Sequence, residues 1–116
     1  MKLAGTRILL VEDEAIIAFA LEDMLESAGA HTVLATSVET ACEAIAAEAF
    51  DCAILDVNLH GEKSYPAAAR LQANSIPFVF ATGYGDAAHP PEFAGIRTIS
   101  KPYSPVQVRA AIEALG

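Results

Sequence analysis

Arg7-Ile8-Leu9-Leu10-Val11-Glu12-Asp13-Glu14 decides the reading of this chain. An apolar run with no polar alternation suits a short strand covered on both faces, and the acids that follow end it abruptly. The same grammar recurs further along. Cys52-Ala53-Ile54-Leu55 runs into Asp56, Phe78-Val79-Phe80-Ala81 into Thr82, and residues 96–100 into Lys101. If these runs are parallel strands of one sheet, their terminal side chains meet along one edge, because open α/β sheets build their sites at the carboxyl ends of strands. Carboxylates, a hydroxyl and an ammonium would then share one place.

The stretches between the runs supply helices. Over residues 15–28, Ile16, Phe19, Ala20, Leu21, Met24 and Leu25 recur at helical spacing, while Glu22, Asp23 and Glu26 take the other face. Gly29 follows where a helix end favours a residue tolerant of positive φ. Residues 31–35 read as a second strand, and Ser37 caps a helix to about Ala47 with Val38, Ala41, Cys42 and Ile45 inward. The cycle continues with strands at 51–55, 78–81 and 96–100 and helices at 65–73 and 104–115. Strands alternating with helices imply right-handed βαβ units and a parallel sheet. Only 86–95 breaks the rhythm, because Pro90 and Pro91 stand where a fourth helix belongs and each would cost a helix interior about 3 kcal/mol. That element is expected to be short or irregular.

The 116 residues, 53% of them hydrophobic, make one globular domain, expected to span 1–116 and too short for a second module. A net charge of −8 argues against nucleic-acid binding and favours cations as ligands. No run is long enough for a membrane span or a signal peptide, so no membrane association and a cytoplasmic location are expected. Cys42 and Cys52 read as small buried hydrophobes, and His31, His60 and His89 share no ligand spacing.

The acids suggest a hard cation. Asp13 and Asp56, with Glu12 close by and a backbone carbonyl from Asn58, offer the oxygen ligands that Mg2+ prefers. A divalent ion would neutralise their mutual repulsion and admit an anionic phosphoryl donor. Lys101 would place a fixed positive charge on a phosphoryl oxygen, Thr82 a hydroxyl donor on another, and the Asp56 carboxylate can itself accept the group as an acyl phosphate.

With these residues in order and spacing, the chain resembles a response-regulator receiver domain over nearly its whole length. The matching stretches are "LLVEDE", "AILDVNL", "FATGYG" and the lysine of "SKPY". The resemblance implies a flavodoxin-like, doubly wound, five-stranded parallel sheet of order 2-1-3-4-5. It also implies Mg2+-dependent transfer onto Asp56 from a phosphohistidine of a sensor histidine kinase or a histidine phosphotransfer protein, followed by a Thr82-linked change that alters binding to a downstream protein partner. "FATGYG" further resembles the signature of the FATGUG subfamily, which includes single-domain regulators of bacterial phosphorelays. No separate substrate turnover is expected, so the chain reads as a phosphoacceptor rather than an enzyme.

Two positions depart from the family pattern. Thr98 stands three residues before Lys101, where receivers commonly carry an aromatic ring, which puts the usual ring-rotation switch in question and leaves Tyr84 or Tyr103 as candidate readouts. His60 stands four residues after Asp56, where many receivers have proline, so the "NLHGEKSY" loop is expected to differ in shape. Three rival readings exist. A flavin binder would want a glycine-rich phosphate loop where Glu12, Asp13 and Glu14 stand. A phosphatase of the haloacid-dehalogenase type would want a second acid two residues after Asp56. A degenerate receiver would bind a partner without taking phosphate.

Overall fold

The computed structural model describes residues 1–83 and 89–115. In chain order they form β1 (Arg7–Val11), α1 (Ala15–Ser27), β2 (His31–Ala35), α2 (Val38–Ala47), β3 (Cys52–Asp56), β4 (Asn58–Leu59), β5 (Glu62–Lys63), α3 (Tyr65–Ala73) and β6 (Phe78–Thr82). A single 3-10 turn at Pro91–Phe93, β7 (Thr98–Ser100) and α4 (Pro105–Glu113) complete the chain. Five strands form one sheet in the order β2-β1-β3-β6-β7, every neighbouring pair parallel, while β4 and β5 make a small antiparallel hairpin. Counting only strands of the large sheet, the order is the expected 2-1-3-4-5.

Strand alternation divides the core in two. Leu9 and Val11 of β1, Ala53 and Leu55 of β3, and Phe78 and Phe80 of β6 pack with Ala41 and Ile45 of α2 and Ala67, Ala68 and Leu71 of α3. Their neighbours Ile8, Leu10, Cys52, Ile54, Val79 and Ala81, joined by Ile99, face Leu21 and Leu25 of α1 and Val108, Ala111 and Ile112 of α4. Burying one such aliphatic or aromatic side chain contributes about 1.5–3 kcal/mol. This two-sided coverage is why the strands lack polar alternation.

Several boundaries differ from the sequence expectation, each for a local reason. The third strand runs Cys52–Asp56 rather than 51–55, because the Asp51 carboxylate accepts from the Arg7 N–H at 2.8 Å and caps the start of the sheet. The last strand begins at Thr98 rather than 96, since the Ile96 N–H turns back to the Phe93 carbonyl at 3.0 Å. The closing helix is Pro105–Glu113, started by Ser104, which exchanges capping bonds with Gln107. Ser37 caps α2 as expected, there with Thr40. Gly29 has φ of 94°, a conformation that favours glycine, and a Cβ there would crowd the Ala4 Cα at 3.2 Å. Of the weak element at 86–95, the part bearing prolines is the 3-10 turn anchored by buried Phe93, and residues 86–88 lie outside the described ones. Cys52 is buried as expected, whereas Cys42 is only half-buried; both are free thiols.

Candidate functional site

The alternation that builds the core also sorts the rim. Glu12 continues the face of Ile8 and Leu10, Asp56 that of Cys52 and Ile54, and Lys101 that of Ile99, so all three emerge on the α1/α4 side of the sheet. Thr82 continues the opposite face, that of Phe78 and Phe80.

On the first side the charges close into a cluster. Lys101 Nζ donates to Glu12 Oε1 at 2.7 Å and to Asp56 Oδ2 at 2.8 Å, and reaches Glu14 Oε1 at 3.4 Å. The lysine side chain is 12% exposed and its two close partners 3% and 8%. Burial by itself would lower the lysine, yet the Asp56 and Glu12 carboxylates outweigh it and hold the ammonium above its usual range. Burial, followed by the adjacent Asp56 carboxylate, pushes Glu12 up to about 8, which Lys101 offsets only in part. The upward direction for Glu12 is the response expected of a buried acid crowded by another carboxylate.

Asp13 sits beside this cluster, its own N–H donating to Glu12 Oε2 at 3.1 Å. One oxygen from each of Glu12, Asp13 and Asp56 lies within 4.8 Å of the others. Such a set fits a hard divalent cation, which favours carboxylate and carbonyl oxygens. Asn58 adds a carbonyl. In β4 and β5 it pairs with Lys63, between the turn-closing pair Leu59 and Glu62 and the Ser64 N–H bond to the Val57 carbonyl. The antiparallel pattern aims the N–H and C=O of such a residue out of the hairpin together. Its N–H approaches Asp56 Oδ1 at 3.4 Å, so its carbonyl faces the same side. Asp13, Glu14, Asp56, Asn58, His60, Gly61, Gly83 and Lys101 line one open cavity of about 370 Å³.

The structure thus brings Glu12, Asp13, Asp56, Asn58 and Lys101 together. Thr82 lies next to them through the backbone, where its carbonyl accepts from the Lys101 N–H at 2.8 Å, but its side chain is buried on the other face and Gly83 lines the cavity in its place. Tyr84 and Gly85 of the "FATGYG" stretch lie outside the described residues. Tyr103 is half-buried, its hydroxyl pushed above its usual range first by burial and then by Glu12.

Sequence reasoning missed three contributors. Glu14 lines the cavity, and His60 donates its backbone N–H to Asp13 Oδ2 at 2.8 Å. The third, His89, is held through both ring nitrogens on the opposite face of the sheet: Nδ1 meets the Tyr65 hydroxyl at 3.0 Å, and Nε2 meets Thr98 Oγ1 at 2.7 Å. Its ring stacks on Phe80 with centroids 4.3 Å apart. No spacing signal announces it, because its partners are 24 and 9 residues away.

A parallel sheet with an acidic, lysine-closed carboxyl rim defines a receiver. Residues 8–113 match the response regulator receiver domain, and the chain belongs to that family. Among solved structures it is similar to SdrG from Sphingomonas melonis Fr1, at 42% identity over 98% of both chains with a TM-score of 0.83, and to a BeF3-activated conformation of SdrG, at 42% and 0.80. It shares its fold with the receiver domain of the sensor histidine kinase PA1611 from Pseudomonas aeruginosa PAO1, at 23% identity over 95% of this chain and 96% of that one, TM-score 0.82. In sequence it is similar to the transcriptional regulatory protein FixJ of Bradyrhizobium diazoefficiens, 26% identical over 91% of this chain and 54% of that protein. The chain spans about half the length of the curated relatives it matches.

Proposed function

We propose that this receiver accepts a phosphoryl group on Asp56 from a phosphohistidine donor and thereby switches its binding to other proteins. The observation that supports this best is Lys101 Nζ held between Asp56 and Glu12, with Asp13 in ligand range of both. Bound to Glu12, Asp13, Asp56 and the Asn58 carbonyl, Mg2+ would supply the positive charge that lets a phosphoryl group approach. PA1611 is described with a magnesium ion in its active-site cleft, which favours the same ion here.

In the transfer, an Asp56 carboxylate oxygen attacks phosphorus, the phosphorus–nitrogen bond of the donor breaks, and the imidazole leaves with its electron pair. Lys101 shifts one of its hydrogen bonds from Asp56 to an incoming phosphoryl oxygen. The Thr82 hydroxyl serves a second oxygen after turning from its buried side. The chain performs this on itself and turns over no separate substrate.

A partner has a surface to use. Ile16 and Phe19 of α1 and Val106 at the start of α4 are 86%, 63% and 77% exposed. A histidine kinase or phosphotransfer protein is the donor this reading calls for, with a downstream protein as the listener. No described helix is long and apolar enough to cross a membrane, and the reading places the protein in the cytoplasm. The "FATGYG" stretch supports placing it in the FATGUG subfamily, which includes single-domain regulators.

Intact mass after incubation with Mg2+ and a small acyl phosphate tests the proposal. A phosphoryl increment on the unaltered chain, lost with EDTA and lost in Asp56→Asn, is the expected result. An unmodified wild type that still captures its partners would favour the degenerate-receiver alternative.

A further inference from the structure

The segment after Asp56 is a two-residue hairpin. Leu59 pairs with Glu62 and Asn58 with Lys63, which leaves His60 and Gly61 as the turn. Both have positive φ, 50° and 83°, the combination of a type I′ turn, whose twist suits the flanking strands. Glycine takes this conformation freely, and histidine tolerates it better than most side chains do. The result is felt 47 positions away, where the His60 amide N–H donates to Asp13 Oδ2 at 2.8 Å.

The imidazole itself does little. It is 67% exposed, and its Nδ1 is 3.7 Å from the same oxygen, beyond hydrogen-bond range. The amide, by contrast, cannot move without the hairpin, so it offers Asp13 a fixed donor. Asp13 is the more exposed of the two principal acids, with an 18% exposed side chain against 8% for Asp56. Asp56 has Lys101 to hold it, and Asp13 has this amide.

We propose that His60 is a positioning residue for the cation site, acting through its left-handed backbone: the turn delivers an amide that fixes the Asp13 carboxylate toward Glu12 and Asp56. This rests on the reading of those acids as a metal site. A ligand oriented in advance loses less on binding, and partners that orient metal ligands are typically worth about 10–100-fold in affinity.

The test is a calorimetric Mg2+ titration of the whole chain and its variants, with the thermal midpoint in EDTA recorded beside it. His60→Gly and His60→Asn keep both the N–H and positive φ, and should bind Mg2+ within about twofold of wild type. His60→Pro has no N–H and a φ fixed near −65°, and should bind about tenfold or more weakly. If it does not fold, His60→Val carries the same test, since a β-branched residue resists positive φ. A glycine variant as weak as the proline variant would transfer the role to the imidazole and overturn the proposal, as would a proline variant that binds like wild type. Failure of the unaltered chain to bind Mg2+ would instead remove the metal reading and this inference with it.

Discussion

The two faces of the sheet end differently at the same rim. On the α1/α4 side, Glu12, Asp56 and Lys101 form a charged cluster, with Nζ within 2.8 Å of two carboxylates. Across the sheet, Phe80 stacks against His89, Tyr65 lies parallel to Phe93 with centroids 5.5 Å apart, and His89 ties Tyr65 to Thr98. Thr82 belongs to this second face while its backbone is bonded to Lys101 on the first. Chemistry and packing are thus segregated by one-residue alternation, and the end of β6 is where they touch.

The segregation predicts unequal responses to substitution. Phe80→Ala should destabilise by about 3–5 kcal/mol in urea unfolding, because it opens a cavity among four aromatic neighbours, and Mg2+ should restore none of it. Lys101→Met should cost roughly 1–3 kcal/mol in EDTA by leaving buried carboxyls without their cation, and Mg2+ should recover most of the loss. Equal Mg2+ rescue of both variants would break the distinction between the faces.

A smaller effect separates the faces by pH. Burial holds His89 below its ordinary value of 6.5, so the folded protein resists a proton that the unfolded chain accepts. The stabilisation is whole above pH 6.5 and is lost as pH falls from there through the lower folded value. The Tm of wild type should therefore drop more between about pH 7.5 and pH 5.5 than that of His89→Phe, which cannot titrate. Parallel melting curves with equal drops would show that the imidazole is protonated at no cost. Smallest of all, Arg109→Ala breaks a pair on α4 whose side chains are 56% and 47% exposed, and should shift stability by no more than about 0.5 kcal/mol.

Much of the charged face was legible in the sequence. Apolar runs ending on Glu12-Asp13, Asp56 and Lys101 announce strands whose ends meet, because parallel connections bring carboxyl ends to one edge. Thr82 was legible as a neighbour but not as a resident of the other face, since assigning its side needs the register Thr82↔Ser100 and the packing of Phe80. His60 stood out only as a departure from a pattern. That its amide serves Asp13 depends on two φ angles and a contact across the fold. His89 carried no signal, because an isolated histidine beside two prolines has the same composition whether it faces water or bridges Tyr65 and Thr98.

Sequence alone determined that strands alternate with helices and which charges end the strands, because hydrophobic runs and polar stops are local properties, while the order of the strands was implied by the family resemblance. Only the tertiary structure decided which face each polar group serves and which backbone amide or ring nitrogen holds it. Those outcomes depend on register, on left-handed turns and on contacts between distant segments, and none of these is encoded in any short window of the chain.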